Sequence, residues 1–169
     1  MKLKYICFLI AALLLASCRG QSGEKDAATT QDGPAVAENF KVQKPEAEWR
    51  AELTELEFYI LRKAGTENPG SSDLLNNKQA GTYVCAGCQT PVFRSEHKFD
   101  SGTGWPSFDR EIEGNVAYSV DTAFGMTRTE EHCAVCGGHL GHVFDDGPRQ
   151  TTGKRHCING AALDFIPAQ

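Results

Sequence analysis

The chain has no excess of basic residues. Its 17 lysines and arginines stand against 22 acidic residues, a formal net charge of −5 with histidine neutral. No basic stripe is available to release counterions from phosphates, which excludes nucleic acid as a partner. The chain also lacks an apolar run of the roughly 20 residues that a helix needs to cross a bilayer. Its longest such run, Ile6 to Ala16, is too short. There is no strand–helix–strand alternation, and no internal repeat beyond a duplicated Cys-x-x-Cys. Large apolar side chains are almost missing from residues 19–44, so that stretch cannot bury enough surface to order itself.

What is present at the N-terminus reads as an export signal. Lys2 and Lys4 precede the apolar run. Leu15-Ala16-Ser17-Cys18 closes it and resembles a bacterial lipoprotein cleavage box. The resemblance implies cleavage before Cys18 and diacylglycerol on its sulfur; the alternative is an ordinary secretory signal with an incidental cysteine. Arg19 follows the cysteine, which in a cell with two membranes implies outer-membrane retention. The expected organisation is a lipoprotein signal peptide over 1–17, a lipidated disordered tether over 18–44 and one domain over 45–168. The expected location is the cell envelope, on the periplasmic side of a membrane. Loss of Lys2 and Lys4 leaves 15 basic against 22 acidic residues, a charge of −7.

Trp49, Leu53, Leu56 and Ile60 recur at helical spacing, which predicts helix over 45–64. Thr54-Glu55-Leu56-Glu57 has the form of a capping box and allows two short helices instead of one. Gly65 is the expected stop. Beyond the loop Asn68–Ser72 the helical period disappears. Short β-prone runs follow at 82–84, 91–93, 116–120, 126–129, 142–144 and 156–158, with Gly- or Pro-containing turns between them. The expected fold is mainly β and antiparallel, with helices at the N-terminus.

Seven cysteines sort into three groups. Cys7 and Cys18 belong to the leader. Cys85-x-x-Cys88 and Cys133-x-x-Cys136 offer paired sulfurs that can close a tetrahedron around zinc, with iron suited to the same ligands. Gly87 and Gly137-Gly138 suit tight knuckle turns. Disulfides or dithiol redox centres compete with this reading in an exported protein. A metal with four protein ligands has no open position, so its expected role is structural.

Cys157 is the thiol left over. Arg155 and Asn159 flank it, and on an extended chain all three share one face. His139, His142 and Asp146 lie shortly upstream. The cation and the histidines are expected to lower the thiol pKa, and a histidine helped by Asp146 is expected to supply a proton. His156 is expected to face away from Cys157. Ser101-Gly102-Thr103-Gly104-Trp105-Pro106-Ser107-Phe108 is a glycine-rich loop with an aromatic wall. Each feature alone also reads as ordinary surface, turn or core.

The ordered series is more specific. Cys-x-x-Cys, Gly-Thr-Gly-Trp-Pro-Ser-Phe, then Cys-x-x-Cys-Gly-Gly-His-Leu-Gly-His-Val-Phe-Asp-Asp-Gly-Pro and Arg-His-Cys-Ile-Asn-Gly resembles the methionine-R-sulfoxide reductases of the B type. The likeness extends upstream through Leu61–Glu67 and covers about residues 45–167. It implies a two-sheet fold with short N-terminal helices and a zinc clip on the four cysteines. It implies reduction of the R epimer of methionine sulfoxide, mostly within proteins. By resemblance Cys157 is the nucleophile. Trp105 and Phe144 receive the substrate, and His139, His142, Asp146, Arg155 and Asn159 supply hydrogen bonds and protons.

Thr103 stands where many relatives carry a resolving cysteine. With four cysteines on metal and Cys18 lipidated, a Cys157 sulfenic acid has no internal partner. The expected reductant is an external thioredoxin-like thiol. A zinc-ribbon binding or chaperone module explains the four cysteines equally well but leaves Cys157 and its neighbours unused. A thiol peroxidase or redox sensor uses Cys157 but has no need of the Trp105 wall.

Overall fold

The computed structural model describes residues 40–169. The leader, Cys7, Cys18 and the tether up to residue 39 lie outside the described residues. The N-terminal helical stretch is two helices, α1 (Glu46–Glu52) and α2 (Glu55–Lys63). Thr54 separates them because its hydroxyl accepts from the Glu57 N–H while the Glu57 carboxylate accepts from the Thr54 N–H. The break resets the helical phase. Leu56, expected on the buried face, is exposed, while Trp49, Phe58, Ile60 and Leu61 enter the core. The left-handed C-cap is Ala64 rather than Gly65. Gly65 lies beneath the exposed Tyr59 ring: a Cβ there would lie 2.3 Å from it and the ring would have to move.

Nine strands follow: β1 (Gly81–Cys85), β2 (Pro91–Arg94), β3 (Lys98–Phe99), β4 (Ser107–Phe108), β5 (Val116–Asp121), β6 (Arg128–Cys133), β7 (His139–Phe144), β8 (Arg155–Ile158) and β9 (Leu163–Pro167). They form two antiparallel sheets, one ordered β2-β1-β9 and one ordered β3-β4-β8-β7-β6-β5. Phe93 of the small sheet stacks on Phe108 of the large one, and Tyr83 meets Phe108 edge-on. Strand β8 lies inside the large sheet, between β4 and β7. Cys157 is therefore held from both sides, with Ser107 and His142 as its lateral neighbours.

The two Cys-x-x-Cys knuckles join the sheets. Cys85 ends β1 and Cys133 ends β6. Each knuckle turns through a left-handed residue directly after its second cysteine, Gln89 (φ 61°) in one and Gly137 (φ 68°) in the other. The first turn thus bends at Gln89, not at Gly87. Helix α2 covers both knuckles: Arg62 donates to the Cys136 carbonyl, and Leu61 lies over Gly87 and Gly138. Residues 40–44, expected to finish the tether, pack here too. Val42 donates to the Val135 carbonyl, and the Phe40 ring meets His132 edge-on.

Candidate active site

One face of the large sheet carries a ladder of functional groups, because side chains paired across antiparallel strands share a face. Ser119, Glu130, His142, Cys157 and Ser107 pair in that order across β5, β6, β7, β8 and β4. Period-two alternation would put His139 and His142 on opposite faces. A bulge between β6 and β7 moves His139 into register with His132 and brings the two rings to 5.4 Å, edge-on. Leu140, the residue left unpaired with β6 at the bulge, is fully buried. Gly141 is obligatory, since a Cβ there would meet the Cys157 carbonyl at 2.0 Å.

Cys157 is half-buried at the wall of a cavity of about 130 Å³ lined also by Trp105, His142, Phe144, Arg128 and Asn159. The cavity is open on one side and lined by both aromatic and polar groups, as ligand sites are. The indole N–H of Trp105 donates to the Glu67 carbonyl at 3.2 Å, which fixes the ring. Gly102 and Gly104 provide the positive φ values that the Trp105 loop needs. The Thr103 hydroxyl lies 3.8 Å from the Cys157 sulfur and is bonded to Ser101, which is bonded to Ser107.

Arg155 shares the Cys157 face. It makes a two-pronged ion pair with Asp146, 2.8 and 2.9 Å, and its guanidinium lies 4.4 Å from the Phe144 ring centre. Asp146 therefore serves Arg155, not a histidine as expected. Its carboxyl is held below the usual range by that pair. The histidines have other partners. His142 Nε2 is 2.8 Å from Asp121, and His139 Nδ1 is 2.6 Å from Glu130. Asp121 is held down to about 2, first by the Ala123 backbone N–H and then by His142 and Arg128. Burial pushes His142 below its ordinary value, against the pull of Asp121.

Asn159 lines the cavity, but its amide is committed elsewhere. Its oxygen accepts from Glu67 N–H and its nitrogen donates to the Leu140 carbonyl. Glu67 in turn accepts from the N–H groups of Gly160 and Ala161. It ties the end of β8 to the loop under Trp105, a role that nothing in the sequence signals. His156 points to the opposite face, where its Nδ1 lies 2.6 Å from the buried Glu131.

The Cys157 thiol is raised from its ordinary value, not lowered. Burial is the largest cause. The Thr103 hydroxyl and the Arg155 guanidinium act downward but are outweighed. Without substrate, alkylation of Cys157 by iodoacetamide is accordingly expected to keep rising with pH beyond 9.0, the value of an unperturbed thiol. Arg155→Met should move the curve further upward, because a cation favouring the thiolate is lost. Mass spectrometry of the Cys157 peptide from metal-loaded protein reads both. A plateau near about pH 7 in the parent would contradict the burial argument.

The four remaining described cysteines gather at one point. Their sulfurs all lie within 4.8 Å of one another, with Cys85–Cys136 at 3.7 Å and Cys88–Cys133 at 3.5 Å. A disulfide needs about 2.05 Å. A tetrahedron with bonds of about 2.3 Å has edges of about 3.8 Å. The spacing fits a shared metal and not a sulfur–sulfur bond.

Residues 53–167 match the SelR domain family. The chain is 50% identical over 129 residues to the peptide methionine sulfoxide reductase MsrB of Leifsonia xyli subsp. xyli, covering 76% of this chain and 93% of that one. It is 52% identical over 137 residues to the peptide methionine sulfoxide reductase MsrB of Bradyrhizobium diazoefficiens, covering 80% and 98%. Among solved structures, the Mis18 'Yippee-like' domain superposes with a TM-score of 0.44 at 15% identity, over 54% of this chain and 99% of that one. The matched region includes the cysteine cluster and the whole Cys157 cavity, and the chain belongs to the SelR-domain, MsrB family of peptide methionine sulfoxide reductases.

Proposed function

We propose that this chain reduces the R epimer of methionine sulfoxide, within polypeptides, to methionine, with Cys157 as the nucleophile. The observation that carries the reading is the place of Cys157: the one free thiol outside the cysteine cluster among the described residues, between an indole and an imidazole in an open cavity. Trp105 and Phe144 supply apolar surface for the substrate's methyl group and side chain. Arg155, fixed by Asp146, favours the thiolate. Protonating the sulfoxide oxygen makes its sulfur electrophilic, and His142 is the imidazole nearest the thiol in the strand register. His139 stands behind it. Asn159 holds the Trp105 loop and the end of β8 together, rather than touching substrate.

In the reaction, the substrate's sulfur–oxygen bond breaks and Cys157 gains the oxygen as a sulfenic acid while methionine leaves. Thr103 cannot resolve that species. An external thioredoxin-like dithiol does so, forming its own disulfide and water. Cys85, Cys88, Cys133 and Cys136 hold structural zinc, which takes no part in the chemistry. Residues 1–17 are proposed to direct export and Cys18 to carry the lipid anchor, with residues up to about 40 as the tether. The support for these is the Lys2/Lys4 run and the cleavage box.

Turnover of the separated epimers of a blocked methionine sulfoxide with dithiothreitol tests the reading. Consumption of the R epimer alone is expected. Equal consumption of both epimers, or of hydrogen peroxide in preference to either, would replace it.

A further inference from the structure

Apart from Cys133 at its end, the hairpin formed by β5 and β6 contributes none of the motif residues named above, yet it supplies the partner of each site histidine. Asp121 at the end of β5 uses both carboxylate oxygens. Oδ1 accepts from the Ala123 N–H at 2.8 Å and pins the turn, while Oδ2 meets His142 Nε2 and the Arg128 guanidinium. Its two cationic or polar partners and the turn N–H keep Asp121 ionised throughout the neutral range. An ionised carboxylate only accepts hydrogen bonds. The hydrogen in the Asp121–His142 contact must then sit on Nε2, which leaves the lone pair on Nδ1. That nitrogen has no hydrogen-bond partner among the described residues, in a ring that lines the Cys157 cavity. Glu130 makes the converse arrangement, holding His139 through Nδ1.

Resting on the reductase reading above, we infer that Asp121 is a positioning residue: it fixes the tautomer and the orientation of His142, and so makes Nδ1 the nitrogen that passes a proton to the sulfoxide oxygen. The logic is that of a carboxylate that holds one ring nitrogen and stabilises the imidazolium formed at the other, with the two nitrogens exchanged. The Cys157 thiol proton moves to Nδ1, giving an imidazolium that Asp121 balances. Nδ1–H then protonates the substrate oxygen as the Cys157 sulfur attacks. Two electrons pass from the cysteine sulfur to the substrate sulfur, and the protonated oxygen ends on Cys157.

Asp121→Asn separates charge from shape. The asparagine carbonyl can still accept from Ala123 N–H, so the turn survives. Its amide donates to Nε2, which forces the ring hydrogen onto Nδ1. Long-range proton–nitrogen NMR of the metal-loaded full chain at neutral pH is expected to find His142 as the Nε2–H tautomer in the parent and the Nδ1–H tautomer in the variant. The same carboxylate-to-amide change in the Ser-His-Asp triad costs about 10⁴-fold in kcat by imposing the wrong tautomer, so kcat for the R epimer should fall by at least about 100-fold. KM should change less than kcat, since Asp121 itself does not line the cavity. A parent His142 with its hydrogen on Nδ1 overturns the inference whatever the variant does, and so does an Asp121→Asn variant with the parental kcat. If the parent reduces neither epimer, the reductase reading fails, and the parent tautomer still decides whether Asp121 sets the ring.

Discussion

Removing the metal is expected to unfold the domain. The clip joins the end of β1 in the small sheet to the end of β6 in the large one, and α2 packs on both knuckles. Cys85 and Cys133 are fully buried. Without a cation, four closely spaced sulfurs either repel one another as thiolates or lose their partners as thiols. Structural zinc contributes about 10–16 kcal/mol in small domains. Whole domains are stable by only about 5–15 kcal/mol. The metal contribution is thus as large as the entire margin. Treatment with a strong chelator should abolish the near-UV circular dichroism and the cooperative melt, and stoichiometric zinc should restore both. A stripped sample with unchanged melting temperature would show that the aromatic core alone, built on Phe93, Phe108 and Tyr83, holds the sheets together.

Cys157→Ser is the complementary case, in which activity is lost and the fold is kept. Serine has nearly the shape of cysteine and sits at a half-buried position with Ser107 and Thr103 nearby to hydrogen-bond it. The hydroxyl is a far weaker nucleophile and cannot carry the oxygen away as a sulfenic acid. Turnover should fall by at least about a thousandfold, as when other enzymes lose their nucleophile. The melting temperature should move by no more than a few degrees. A large drop in stability with a proportionate drop in activity would make Cys157 a packing residue instead.

Local signals in the sequence carried the helix break at Thr54 and the strands β1, β2 and β5, because caps and alternating runs are short-range. Strands β3 and β4 were not legible. Each is two residues long, and pairing with its neighbours holds it, not propensity. Strand β9 ends in proline, which its place on a sheet edge tolerates. The cysteine pairs and Cys157 were legible from residue type and spacing. The partners of the histidines were not. Asp121 and Glu130 lie on other strands, and the bulge at Leu140 that aligns His139 with His142 leaves no mark in a period-two reading. The Cys157 shift runs opposite to the sequence expectation for a related reason: Arg155 is visible two residues away, whereas the burial that outweighs it arises from strands brought together only by folding.

A single turnover without reductant tests the central claim most directly. Metal-loaded protein is mixed with one equivalent of a peptide bearing methionine-R-sulfoxide, then trapped with a sulfenic-acid reagent and digested. The account predicts one equivalent of reduced peptide and the trapping adduct on Cys157, with all four cluster cysteines unmodified. Reduced peptide accompanied by a disulfide between Cys157 and any cluster cysteine, or no reduced peptide at all, would contradict it.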